Sequence, residues 1–204
     1  MKFGFPTYPK LNLATQFTIL RILTLPIFVI FIVYNHIGWA LIIFLFAALT
    51  DAVDGFIARI FHQKTKLGTF LDPIADKLLL STAFLISSLS DNIILKIDKW
   101  IAIIVVFRDV VILLGIGLLE IYSIKIEIKP ILSGKITTFL QLITVIAVLF
   151  FNTLILAGQG DKYYRPIIEY LTYLVVIVTI YSGYRYIIRG IGTLTAPQTK
   201  EPNS

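Results

Sequence analysis

Four carboxylates dominate the chemistry available to this chain. Asp51 and Asp54 stand three apart and Asp72 and Asp76 four apart, in otherwise strongly apolar sequence. On a helix, residues three or four apart share a face, so each pair projects as a unit, the second pair with about one turn, or ~6 Å, between its members. Ionised carboxylates beside a bilayer are costly unless positive charge balances them. Four oxygen donors suit Mg2+ or Mn2+, which prefer carboxylate and water ligands. Two such ions about 3.5–4 Å apart clamp a phosphoryl centre during in-line displacement. The residues therefore read as a divalent-metal site at a membrane surface, suited to phosphates.

The intervening residues fit this reading. Gly55 and Ala58 lie on or beside the carboxylate face and leave room for a bulky ligand to reach the backbone. Arg59 supplies a planar donor for phosphate oxygens. Gly68 is expected to open the loop that turns into the third helix. Two histidines, His36 and His62, are too few for a histidine metal site, and the absence of cysteine excludes disulfides and thiolate chemistry. A reading from another class is a divalent-cation transporter with the aspartates as its ion pathway. That needs polar or ionisable groups through the whole membrane depth, whereas these acids cluster at one face.

The elements that must hold such a site are membrane helices. Of 204 residues, 57% are hydrophobic and only 15% charged, too few charges to cover a water-soluble globule. The net charge of +6 suits an anionic membrane surface rather than nucleic acid. Six segments approach the ~20 residues a spanning helix needs: Thr18 to Tyr34, Trp39 to about Arg59, Asp72 to Leu89, Trp100 to about Tyr122, about Leu132 to Leu156, and about Ile167 to Ile188. Asp51 and Asp54 are expected on the last turns of the second, and Pro73 in the first turn of the third, where proline is favoured. The runs are continuous rather than alternating, so helices are preferred to a barrel. The fold class is all-α: a polytopic integral membrane protein with six transmembrane helices. A short interfacial segment, Phe3 to Thr15, is expected before the first. No cleavable leader is expected. Residues 1–194 read as one domain and 195–204 as a polar tail expected to be disordered.

Basic residues set the orientation. Lys2 and Lys10 precede the first helix, and Arg59, Lys64 and Lys66 lie around the second connection. Lys125, Lys129 and Lys135 lie around the fourth, and Arg185 and Arg189 close the last helix. The opposite loops mix Lys96, Lys99, Lys162 and Arg165 with Asp91, Asp98 and Asp161. Both termini and the aspartates are thus expected on the cytoplasmic side.

At these residues the chain resembles the CDP-alcohol phosphotransferases, whose signature is D-x2-D-G-x2-A-R-x8-G-x3-D-x3-D. Asp51, Asp54, Gly55, Ala58, Arg59, Gly68, Asp72 and Asp76 fill every fixed position at the required spacing. The resemblance implies a CDP-linked donor at the cytoplasmic ends of helices two and three. It implies that Asp51, Asp54 and Asp72 hold Mg2+ or Mn2+, two ions in all, with Asp76 sharing in ligation. Asp76 is also implied as the general base that takes the acceptor hydroxyl's proton as CMP leaves. Asp54, Gly55, Ala58, Arg59 and Gly68 are implied to bind the donor, and a homodimer is common in the family.

For the acceptor, Thr18-Ile-Leu-Arg21, the stretch from Thr65 to Lys77, Arg108-Asp109 and Ser133-Gly-Lys135 resemble the branch that makes phosphatidylglycerol phosphate or cardiolipin. The implied reaction joins CDP-diacylglycerol to glycerol 3-phosphate, with phosphatidylglycerol as the alternative acceptor. Arg108 is an intramembrane charge and hence a functional candidate, or else a partner of Asp109 or another acid. Lys135 and Arg185 either anchor helix ends or point inward and, with Arg108, receive the acceptor's phosphate. Arg21 either joins them or anchors the first helix. Gly115, Gly117, Ser182 and Gly183 are expected at close helix contacts. Trp39, Trp100, Tyr163 and Tyr164 are expected at the interface.

Overall fold

A computed structural model describes residues 13–61, 66–121 and 132–195, with side chains at 19–50, 74–115, 117 and 132–188. Six α-helices and no strand occur among the described residues: α1 Leu13–Val33, α2 Ile37–Phe61, α3 Lys66–Leu89, α4 Lys99–Ile121, α5 Leu132–Leu156 and α6 Arg165–Thr195. A single 3-10 turn at Asp161–Tyr163 precedes α6. The chain divides into two compact units, Met1–Leu79 and Leu80–Ser204.

In the first unit, α1 and α2 pack along matched stripes. Arg21, Thr24, Phe28 and Ile32 are buried on α1, and Ile37, Ala40, Phe44 and Ala47 on α2. These spacings follow one helical face. The small side chains Ala40 and Ala47 leave room for Phe28, whose ring centroid lies 5.7 Å from that of Phe44. The turn between the helices closes with a Schellman pattern. Asn35 sits at φ 61° and donates to the Ile32 carbonyl at 3.0 Å, while His36 donates to that of Phe31 at 2.7 Å. Asparagine tolerates the left-handed region better than most side chains, so it can end α1 here.

The second unit holds α4 to α6 and the C-terminal part of α3. Its inner faces are unusually polar. Thr137, Gln141, Thr144 and Asn152 are buried on α5, Thr172, Thr179 and Ser182 on α6, and Arg108 and Asp109 on α4. Helix α5 ends with a second Schellman pattern, Gly158 at φ 97° donating to Ile155 at 2.9 Å and Gln159 to Leu154 at 3.2 Å. The α3–α4 connection is tucked inward. Ile93, Leu95 and Ile97 are buried while their neighbours alternate outward.

Much of the outer surface is apolar. Leu23 and Ile30 in the first unit and Ile103, Phe107, Phe139 and Ile177 in the second are all exposed. Among the described residues, two stretches, Leu132–Leu156 and Asp161–Ile188, are long and apolar enough to cross a membrane, and Ile19–Val33 and Ile37–Thr50 are shorter apolar stretches. Large contiguous apolar surface marks a membrane or partner environment.

Several expected boundaries shift. Helix α3 begins at Lys66, so Pro73 lies in its interior, not its first turn, and Gly68 lies within the helix instead of opening a loop. A membrane helix tolerates an interior proline because neighbouring groups can satisfy the freed carbonyl. Helix α1 begins at Leu13, absorbing the end of the expected interfacial segment; residues 3–12 lie outside the described residues, as do 196–204 of the expected tail. Helix α6 runs on to Thr195. The expected close contacts at Gly115 and Gly117 do not occur among the described residues, since an added Cβ there meets nothing within 4 Å.

Candidate functional site

The aspartates are distributed evenly about the α2–α3 connection. Asp51 and Asp54 lie ten and seven residues before Phe61, the end of α2. Asp72 and Asp76 lie six and ten residues after Lys66, the start of α3. At 1.5 Å per residue, each pair begins about 10 Å and ends about 15 Å along its helix from the connection. All four positions thus lie about two to three turns inside their helices: Asp51 and Asp54 on the last turns of α2, as expected, and Asp72 and Asp76 farther into α3 than a helix starting at Asp72 would have them. The side chains of Asp51, Asp54, Gly55, Ala58, Arg59, Gly68 and Asp72 lie outside the described residues.

Asp76 is described, and Arg21 is among its partners. The Nη1 of Arg21 donates to Asp76 Oδ1. The arginine is 2% exposed and the aspartate 39%. Arg21 belongs to the buried stripe of α1, and its carbonyl accepts from Thr24 Oγ1 at 2.7 Å. A charge this buried requires partners, and the acid from α3 is one of them. The sequence showed Arg21 as a candidate cation but gave no signal for its partner, 55 residues away.

The donor chemistry is consistent with a hard divalent cation. All four candidate ligands are carboxylates, without nitrogen or sulfur donors, the set that suits Mg2+ or Mn2+. Among the described residues, where only Asp76 of the four has its side chain, no group of three or more metal-ligating side chains occurs.

A second charged cluster lies wholly within the second unit. Arg108 is 6% exposed and Asp109 1%. Arg108 Nη1 donates to Asp109 Oδ1 at 2.6 Å, and Nη2 donates to Ser182 Oγ at 2.7 Å. The guanidinium lies 5.8 Å from the ring centroid of Tyr186, within cation–π range. Two glycines lie against this assembly. A Cβ on Gly134 would come within 3.3 Å of the Tyr186 ring and 3.6 Å of Arg108 Nη2. One on Gly183 would sit 3.6 Å from Arg108 Cγ. The local pairing with Asp109, one of the two readings of Arg108, is therefore present. Lys135 and Arg185 are both exposed.

The sequence reading missed Tyr186 and Gln141. Tyr186 lies one helical turn beyond Ser182, a spacing that places both on one face. Gln141 is fully buried on α5, and neither its amide oxygen nor its nitrogen has a hydrogen-bond partner among the described residues. Of the expected interface aromatics, Trp39, Trp100 and Tyr163 are exposed, whereas Tyr164 stacks on Phe151 at 4.7 Å. His36 packs edge-on against Phe31, and His62 lies outside the described residues.

Comparison with known proteins identifies the family. The family model described as CDP-alcohol phosphatidyltransferase matches residues 11–181. A Rickettsia felis protein named CDP-diacylglycerol--glycerol-3-phosphate 3-phosphatidyltransferase is 30% identical over 179 residues, covering 86% of this chain and 93% of its own. A Bacillus subtilis protein of the same name is 30% identical over 191 residues, with 86% and 93% covered. The matched region includes Arg21, the aspartate segment and the Arg108–Asp109 pair, and the helices of span length suit a membrane-integral enzyme. The chain belongs to the CDP-alcohol phosphatidyltransferase family.

Proposed function

We propose that this chain is a CDP-diacylglycerol–glycerol-3-phosphate 3-phosphatidyltransferase. It moves the phosphatidyl group of CDP-diacylglycerol to glycerol 3-phosphate, forming phosphatidylglycerol phosphate and releasing CMP. The observation that carries this reading is the match to relatives of that name over most of both chains. The complete carboxylate signature from Asp51 to Asp76 supports the same chemistry.

The roles follow from residue chemistry. Asp51, Asp54, Asp72 and Asp76 would hold Mg2+ or Mn2+, two ions in all, which when bound neutralise charge on the pyrophosphate. Arg59 adds planar donors for phosphate oxygens. Gly55 and Ala58, with Asp54 and Gly68, accommodate the nucleotide end of the donor. Asp76 accepts the proton of the acceptor hydroxyl as that oxygen bonds to the lipid-side phosphorus. The phosphorus–oxygen bond of the pyrophosphate breaks, and CMP departs with the electron pair. Arg108, Lys135 and Arg185 are the candidates for the acceptor's phosphate. The apolar exterior lets the diacyl tails remain in lipid. Six spans, cytoplasmic termini and active site, and a homodimer complete the proposed arrangement.

The test is direct. Purified protein receives labelled CDP-diacylglycerol and Mg2+ or Mn2+ with either glycerol 3-phosphate or phosphatidylglycerol. Phosphatidylglycerol phosphate and stoichiometric CMP are expected with the first acceptor. Cardiolipin formation with the second alone would reassign the acceptor. Metal flux into proteoliposomes without CMP release would replace the enzyme with a transporter.

A further inference from the structure

We infer that Arg21 is a positioning residue for Asp76, holding the carboxylate of α3 in the direction from which it meets the acceptor hydroxyl. The inference rests on the reading of Asp76 given under the proposed function. It goes beyond that reading by giving α1, which carries none of the signature aspartates, a part in catalysis.

The geometry supplies the reason. A free aspartate side chain rotates about two bonds and presents either oxygen in many directions. Here Oδ1 is held by a guanidinium that is itself buried. That guanidinium cannot drift, because Arg21 occupies the stripe Arg21–Thr24–Phe28–Ile32 packed on α2. Helix α2 carries Asp51 and Asp54. One ion pair therefore ties the helix bearing Asp76 to the helix pair that bears the other two acids. Arginine suits this task better than lysine, because its planar fork fixes direction as well as charge.

The sign of the electrostatics gives a test that a purely structural pair fails. A guanidinium beside Asp76 repels a divalent cation. Removing it relieves that repulsion, so metal binding is not weakened, while the aim of the carboxylate is lost. Misplacement of a reacting group by about 1 Å lowers rate about 100-fold.

The experiment compares detergent-purified wild type, Arg21→Gln, Arg21→Lys and Asp76→Asn. It measures CMP release, Mn2+ affinity of the metal-stripped protein by electron paramagnetic resonance, and thermal melting. The expected result for Arg21→Gln is a kcat lower by about 100-fold. KM for donor and acceptor stays within about twofold, and Mn2+ binding is as tight as wild type or tighter. Arg21→Lys, which keeps the charge and loses the fork, recovers part of the rate. A kcat for Arg21→Gln within about threefold of wild type would overturn the inference. So would loss of Mn2+ binding and of cooperative melting together with rate in both Arg21 variants, since the pair would then only hold the fold. Asp76→Asn decides the underlying reading separately: full turnover there removes Asp76 as the base, whatever the Arg21 variants do.

Discussion

Ser182 on α6 accepts from the second guanidinium nitrogen of Arg108 on α4 at 2.7 Å, across 74 residues of chain. The first nitrogen is held by Asp109 at 2.6 Å. These two contacts differ in what their loss leaves behind. Asp109→Asn leaves a buried guanidinium without its counter-charge, a change that costs about 3–5 kcal/mol. Ser182→Ala removes one hydrogen bond to a charged group, about 1.5–3 kcal/mol. Replacing both members of the pair, as in Arg108→Met with Asp109→Leu, is expected to be milder than Asp109→Asn alone. Thermal melts in one detergent give the ranking. If Ser182→Ala melts lowest, the ion pair is not the dominant restraint on this cluster.

Asp91 offers a contrast, because its ion pair lies in water. Lys96 Nζ donates to Asp91 Oδ1 at 2.7 Å, and this bond holds the carboxyl below its ordinary value. A carboxylate lowered on folding stabilises the fold above its unfolded value, about 3.9, and that gain is lost as pH falls through the lowered folded value. The pair is exposed, so side-chain entropy and salt erase most of the gain. Asp91→Asn is expected to shift the melting temperature by no more than about 1 °C at pH 7 and 0.15 M salt. A larger drop that persists in high salt would mean the loop depends on this contact.

The parts legible in the sequence were those written in local pattern. Six helices could be placed from apolar runs, and α4 and α5 fall within a residue of their expected bounds. The signature from Asp51 to Asp76 depends only on spacing, so it was visible without any tertiary knowledge. Pro73 misled because proline's preference for a first turn is a local rule, and helix α3 overrides it by starting at Lys66. The partner of Arg21 was invisible for the opposite reason. Periodicity says which face a charge is on but not which acid a distant helix brings to it. Arg108 could be read either way, and its adjacent Asp109 made the local pair foreseeable.

Gly134 and Tyr186 are expected to behave as one unit. The Cβ of Gly134→Ala would stand 3.3 Å from the Tyr186 ring, so the ring must give way by a few tenths of an ångström. Alanine also favours the helix by up to about 1 kcal/mol over glycine, which offsets the clash. The net effect on stability is expected to be under about 1 kcal/mol. A leucine at the same place cannot be absorbed and is expected to lose about 1–3 kcal/mol through overpacking. Tyr186→Ala should recover part of that loss, giving a non-additive double mutant. Additive losses in melting experiments would place the strain at Gly134 somewhere other than against this ring.

Asn152 makes the strongest stability prediction. Its Oδ1 accepts from the backbone N–H of Ile94 at 2.8 Å and of Leu95 at 2.9 Å. Its Nδ2 donates to the carbonyls of Val148 at 2.7 Å and Leu95 at 3.3 Å. One fully buried side chain on α5 thus replaces the ladder partner that the inward-tucked connection lacks. Leucine has the same branched skeleton of four side-chain heavy atoms and none of these groups. Asn152→Leu would leave two backbone donors unpaired, each worth about 1–3 kcal/mol. Stability is expected to fall by about 2–6 kcal/mol, with the amides of Ile94 and Leu95 exchanging hydrogen much faster than in wild type. Cleavage by added protease should begin at residues 90–98. Because the change removes backbone partners and no apolar contact, a variant that melts and exchanges like wild type would show that this loop satisfies its N–H groups without the asparagine.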